Sequence, residues 1–490
     1  MLKYKLHTIY RIIRNSNLFK NSFWGITANL LQNILYSVFF IVIARKYSTE
    51  EFSSYILANS LYAFIVAFSS MGLGQWFIRE LLTVNDKVEL VTKFFKFQFI
   101  IGILFYCLNI LLVFIIYENS LIRYLALIIG TNIIFDNIIY VITFTNIAQQ
   151  EQKKNFIVFT IEAVLKFLAA AFLFISTIPI IYLAFILILL RLISLYIFIN
   201  TVNIKIYSFA LISSVKINWN ELLNIIKINW PFVVIGSISV IYWRIGIFLV
   251  SKNLLPFDVA NYEISYKLFS IAQILPYIVS TTLFPKLIKL YQSDSTDTIV
   301  YFKNAFIGYT LYGFFVCSFV FTFADGLIPT IFGNKYSSGS YYCKEMFLTI
   351  LVFPTVLLQA NLLVSMKLEK MDMQLNILSL FLNILFCTVG LQYFKTLSVV
   401  NISVFISFFI FHVFQDIMLY RLKIISKLHI YLFYLSISLF ILWYRYISMI
   451  HFKEIVFVIF WITIFSMFLL LYFRKNYLIS KLLFSYKQIQ

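Results

Sequence analysis

The chain has 490 residues, of which 62% are hydrophobic, 20% aromatic and only 12% charged. Soluble domains carry about a quarter of their residues as charges, so the composition excludes a soluble globular protein and defines an all-α polytopic membrane protein. The net charge of +19 is dispersed over many short polar segments, which excludes a nucleic-acid patch, and Cys107, Cys317, Cys343 and Cys387 lack the paired spacing of a metal site or disulfide framework.

Apolar runs long enough to cross about 30 Å of hydrocarbon at ~1.5 Å per residue lie near residues 23–44, 55–78, 97–117, 122–146, 156–177, 180–200, 231–251, 257–284, 305–328, 346–366, 373–391, 397–420, 430–450 and 455–473. The sequence thus predicts about fourteen transmembrane helices. The basic opening segment lacks a small-residue cleavage site and runs into more than twenty residues of apolar sequence, so a retained first span is expected. With the N-terminus in the cytoplasm, cytoplasmic segments hold 26 Lys and Arg, external loops nine, and the spans four. Basic residues mark the cytoplasmic side of short loops, so both termini are expected inside.

The longest polar interruption, residues 201–230, separates six spans from eight. Two lobes are therefore expected: helices 1–6 within 1–200 and helices 7–12 within 231–420, with 421–490 adding helices 13 and 14 and a cytoplasmic tail. Within the connector, Trp219, Leu222, Leu223 and Ile226 recur at helical spacing, predicting a surface-lying amphipathic helix, with Pro231 opening the next span.

Charges inside spans are costly and mark pathways or water-filled cavities. The stretch from Ile241 to Tyr291 carries three well inside the ends of its spans, Arg244 in one span and Glu263 and Lys267 in the next. Arg244 and Glu263 fall at matching depths, about 10 Å below the external surface, so adjacent antiparallel helices can pair them. Lys267, at i+4 from Glu263, competes for the same carboxylate. The N-terminal half repeats the arrangement with Asp136 in the fourth span, Glu162 and Lys166 at i,i+4 in the fifth, and Arg191 mid-span in the sixth. Four cations against three carboxylates leave one positive charge, a balance suited to a phosphate-bearing ligand. Asn29 and Asn33 share a face of the first span, as do Asn376, Ser379 and Asn383 of the eleventh; such residues line a sugar-accommodating cavity or join helices by hydrogen bonds. His412 and Asp416, at i,i+4, suit either a proton relay or, the expectation preferred here, a polar pair reaching the cytoplasmic interface. Glycines 72 and 74 lack the strand-to-helix setting of a phosphate cradle, and nothing calls for a cofactor or metal.

Several short patterns resemble the polysaccharide-export branch of the multidrug/oligosaccharidyl-lipid/polysaccharide (MOP) exporter superfamily, which includes O-antigen repeat-unit flippases. IARKYSTEEFSSYILA resembles the family's A-R-x-L-G-x-x-x-F-G-x-Y turn, with Ser48 and Ser53 in place of its glycines. MGLGQWFIREL resembles its G-L-x-x-x-x-x-R-E element, ending in Arg79 and Glu80, and TNIAQQEQKKN its polar connector. Arg244, Tyr262, Lys267, Leu268, Pro276 and Pro285 stand at matching places of a further pattern, with Gly246 where many relatives carry an Asp. Together these cover most of residues 20–300.

The resemblance implies a two-lobed, MOP/MATE-like transporter of the bacterial plasma membrane that flips a polyprenyl-pyrophosphate-linked oligosaccharide by alternating access, alongside polysaccharide polymerase machinery. Arg191, Arg244, Lys267 and Lys166 would then meet the substrate, and Asp136, Glu162 and Glu263 with the asparagines would line the cavity or couple an ion. A proton- or sodium-coupled drug or metabolite exporter of the same fold is the alternative, kept open by the three carboxylates. A membrane-embedded sugar polymerase or glycosyltransferase needs a sizeable external loop, and the longest, around Asp325 to Glu345, offers about twenty residues.

Overall fold

The computed structural model describes residues 17–201, 219–293, 295–447 and 453–467, and among them the regular structure is helical. The helices in chain order are α1 (Asn17–Lys46), α2 (Thr49–Ser69), α3 (Gly74–Thr83), α4 (Lys87–Ile116), α5 (Ser120–Gly130), α6 (Asn132–Ala148), α7 (Gln152–Ile175) and α8 (Ile180–Thr201). They continue with α9 (Trp219–Asn253), α10 (Pro256–Ser293), α11 (Ser295–Phe332), α12 (Gly339–Phe347), α13 (Phe353–Ser365), α14 (Glu369–Tyr393), α15 (Leu397–Arg421), α16 (Lys427–Ile447) and α17 (453–467). Short 3₁₀ turns at Asn334–Tyr336 and Leu348–Leu351 flank α12.

Eleven spans among the described residues are long and apolar enough to cross a membrane, fewer than the fourteen expected; the other three expected spans fall on α1, α9 and α17. The second expected span is interrupted: α2 ends at Ser69, and Met71 (φ 50°) and Gly72 (φ 58°) turn the chain through left-handed conformations into α3. Glycine adopts this conformation at little cost. At Gly74 the need is space, because any side chain there would run into the Phe144 ring, while its N–H donates to Tyr140 Oη (2.6 Å). The glycines thus serve a turn and a close helix contact between α3 and α6.

The connector also differs from expectation. Residues 202–218 lie outside the described residues, and from Trp219 the chain is one 35-residue helix that runs through Pro231. A proline removes one backbone hydrogen bond and need not end a membrane helix whose adjoining turns hold it. The Asp325–Glu345 segment is not an extended loop either, because α11 continues to Phe332 and α12 begins at Gly339.

Two compact units divide the chain. The first contains residues 1–267, 331–333 and 376–403. In it α1 packs on α7, α2 on α5 and α9, and α4 on α6, around a core that includes Phe77, Phe94, Phe97, Ile142, Val158 and Phe198. Ser48 starts α2 through a capping box, its Oγ accepting from Glu51 N–H (3.2 Å) while Glu51 Oε2 accepts from Ser48 N–H (3.1 Å). This gives the serine at the family's glycine position a structural role.

The second unit contains residues 268–330, 334–375 and 404–490. Pro276 inside α10 cannot donate to the carbonyl of Ala272, and Tyr312 Oη of α11 donates to that carbonyl instead (2.5 Å). Tyr309 Oη donates to Pro276 O (3.0 Å). Among the described residues, α16 and α17 are tied to α11 by buried polar contacts: Tyr444 Oη donates to Ser318 O (2.7 Å) and Trp461 Nε1 to Ser318 Oγ (2.8 Å). Asp325 accepts from Lys344 (2.6 Å) and Lys453 (3.0 Å).

Candidate functional site: charged clusters within the first unit

The first unit gathers its mid-span charges into two clusters. In the first, α6 supplies Asp136, α7 supplies Glu162 and Lys166, and α8 supplies Arg191. Arg191 Nε donates to Asp136 Oδ1 (2.7 Å), Nη2 donates to the same oxygen, and Nη1 donates to Glu162 Oε2 (2.5 Å). Lys166 Nζ donates to Glu162 Oε1 (2.7 Å) and lies 4.8 Å from the centre of the Tyr36 ring of α1. Tyr62 Oη of α2 donates to Asp136 Oδ2. Each carboxylate oxygen therefore has a donor, and two cations meet two anions. Glu162 is 1% exposed, so the pairing is what permits its charge at that position.

The second cluster joins α9 to α10. Arg244 Nη1 donates to both Glu263 oxygens (3.0 and 3.3 Å) and to Ser60 Oγ of α2 (3.3 Å), and its guanidinium lies over the Tyr266 ring at 5.1 Å. The pairing expected from helix depth is present. Lys267 follows one turn later on α10 and is half-buried. Ser60 and Tyr62 place α2 against both clusters. Tyr36, Ser60, Tyr62 and Tyr266 were not legible as site residues, since hydroxyls and phenols among 33 tyrosines carry no spacing signal.

Gly246 stands two residues after Arg244 on α9. A Cβ there would lie 2.9 Å from Tyr262 Cζ and nearer still to its Oη. Tyr262 is itself 1% exposed, so it occupies the space that an Asp at residue 246 would need.

Among the expected cavity asparagines, Asn33 is half-buried on α1 and Asn376 half-buried on α14. Asn383 is fully buried and accepts from Cys387 Sγ (3.4 Å). The side chain of Asn29 lies outside the described residues.

The second unit overturns one expectation. His412 and Asp416 do not reach an interface: they are 0% and 1% exposed, covered by α13 and α16. Tyr434 Oη of α16 donates to Asp416 Oδ2 (2.8 Å), and Gln359 Nε2 of α13 donates to Oδ1 (2.6 Å). Position near a helix end gave no sign of these covering helices.

A family model for polysaccharide biosynthesis proteins matches residues 18–291, more than half of the chain, and the chain belongs to that family. Its fold is that of MOP-superfamily transporters. It is similar to an inward-facing multidrug resistance MATE family transporter (TM-score 0.63, 11% identity, 81% of this chain and 96% of that one). It is also similar to an outward-facing transporter of the same description (TM-score 0.57, 12% identity, 84% and 97%). A third similar structure is a MOP superfamily transporter from Pyrococcus furiosus, described as having reversed binding-pocket polarity that suggests a different function (TM-score 0.53, 11% identity, 83% and 96%). No curated protein matches the chain. The chain is a multi-pass membrane protein.

Proposed function

We propose that this protein flips a polyprenyl-pyrophosphate-linked oligosaccharide across a bacterial plasma membrane by alternating access, with both termini cytoplasmic. The observation that carries the reading is membership of the polysaccharide biosynthesis family in a fold whose solved examples include inward- and outward-facing transporters. An alternating carrier of glycans joins the two facts without requiring an enzyme's external catalytic loop.

The charges of the first unit suit the pyrophosphate. In the conformation described here Arg191, Lys166 and Arg244 are held by Asp136, Glu162 and Glu263. With Lys267 the four cations outnumber the three carboxylates, so an arriving phosphate supplies negative charge that these spans lack. Arg191 and Lys267 are the residues proposed to meet the phosphate most directly, Arg191 by exchanging a carboxylate for a phosphate oxygen. Asn29, Asn33, Asn376 and Asn383 offer amides to sugar hydroxyls, and the polyprenyl tail stays in lipid. Polysaccharide polymerase machinery would receive the flipped unit.

The test is export in cells. Lys267→Ala should abolish surface glycan while the protein remains in the membrane at normal level, Lys267→Arg should retain it, and Arg191→Ala should abolish it as well when export is read per molecule present in the membrane, since that variant loses a buried ion pair. Normal export from both alanine variants overturns the cationic site.

A second reading, a proton- or sodium-coupled exporter of drugs or metabolites, is favoured by the three mid-span carboxylates and by the multidrug transporters of similar fold. Ion-driven dye efflux from vesicles free of lipid-linked glycan would support it against the flippase.

A further inference from the structure

The first unit balances its mid-span carboxylates with arginine and lysine. The second unit balances Asp416 differently. Asp416 accepts from Gln359 Nε2 (2.6 Å) and Tyr434 Oη (2.8 Å), and its Oδ2 lies 3.1 Å from His412 Nδ1. Among the described residues no lysine or arginine pairs with it. Among the described residues, the cations within its reach are imidazoles that become charged on protonation: His412, in direct contact, and His429, farther off.

The surroundings of His412 restrict it to that role. Its ring stacks on Phe433 of α16 (4.6 Å, 19°) and packs on Phe306 of α11. Nδ1 also lies 2.8 Å from Tyr434 Oη, and Nε2 is buried with no hydrogen-bond partner among the described residues. The other titratable groups nearby are few. His429, at the start of α16, packs its ring on the same Phe306 (4.6 Å) and is partly exposed. Asp372 of α14 accepts from Gln415, the neighbour of Asp416 (3.4 Å). Lys303, one turn before Phe306 on α11, is exposed.

We propose that His412 and Asp416 form a buried proton-binding site, separate from the charged clusters of the first unit. With the proton bound, Nδ1–H donates to Asp416 Oδ2, Nε2–H carries the exchangeable proton, and the pair is neutral. When that proton leaves, the imidazole is neutral and Asp416 keeps its negative charge with only the Gln359, Tyr434 and His412 donors to stabilise it. One proton thus switches the net charge of a core enclosed by α11, α13, α15 and α16, and histidine is the side chain whose ordinary titration range makes such exchange available. The inference does not depend on what the protein carries.

The chain has four histidines, so ¹⁵N-histidine labelling of the full protein in nanodiscs gives few imidazole signals, and His412→Gln identifies the one of interest. Followed over the pH range in which the protein stays folded, that signal should convert reversibly between neutral and protonated forms, and in Asp416→Asn it should remain neutral throughout. Where His412→Gln does not accumulate, the perturbation in Tyr434→Phe, which removes a hydrogen bond and no charge, makes the assignment. A wild-type signal that holds one form over the whole range overturns the proposal. So does a change on adding sodium chloride at fixed pH that matches the effect of the proton, or an Asp416→Asn titration identical to wild type.

Discussion

Arg191 holds two carboxylates at once, and that geometry sets what its removal does. Arg191→Met leaves Asp136 with Tyr62 alone and Glu162 with Lys166, and breaking a buried pair costs about 3–5 kcal/mol. A marked fall in the thermal midpoint of the detergent-solubilised protein is expected, recovered in large part by the neutral set Asp136→Asn, Glu162→Gln and Arg191→Met; an unchanged midpoint for Arg191→Met alone would contradict the pairing. Gly246→Ala should cost about 1–3 kcal/mol by overpacking against Tyr262, measurable in the same assay, with no loss contradicting the close contact. Local spacing made Glu162 and Lys166 legible as partners, and helix depth did the same for Arg244 and Glu263. Asp136 and Arg191 are 55 residues apart, so only the packing of α6 beside α8 shows that they meet. His412 looked interfacial for the same reason, since its burial is made by α13 and α16 and not by its own helix.

At the scale of elements, the proline of α10 gives the sharpest test. Tyr312 supplies the donor that Pro276 cannot, so Tyr312→Phe should leave the Ala272 carbonyl unsatisfied and cost about 1–3 kcal/mol. Adding Pro276→Ala restores a backbone N–H, and the double-mutant cycle should show a coupling of about 0.5 kcal/mol or more. Additive losses would contradict the compensation. Hydropathy located most helices because a run of apolar residues must find lipid or protein on every side. It was weaker at punctuation: Met71 and Gly72 break a run that reads as continuous, and Pro231 fails to break a helix where a boundary was expected. In both places the decision rests on backbone conformation and neighbouring turns, which composition does not record.

For the whole molecule, composition and alternating basic segments already specify a multi-pass helical protein, and the ordered motifs of residues 20–300 point to the family that the comparison establishes over 18–291. On the proposed function, the net excess of cations in the spans of the first unit is the feature that connects fold to cargo. Its most direct test uses the purified protein in sealed vesicles loaded with a polyprenyl-pyrophosphate-linked oligosaccharide, following the exposure of glycan to a membrane-impermeant glycan-cleaving enzyme added outside. Wild-type protein should render the inner-leaflet glycan cleavable, whereas Lys267→Ala vesicles and protein-free vesicles should leave it protected. Equal protection with and without the wild-type protein, in vesicles where the same preparation drives dye efflux, would contradict the flippase account and favour an exporter of small molecules.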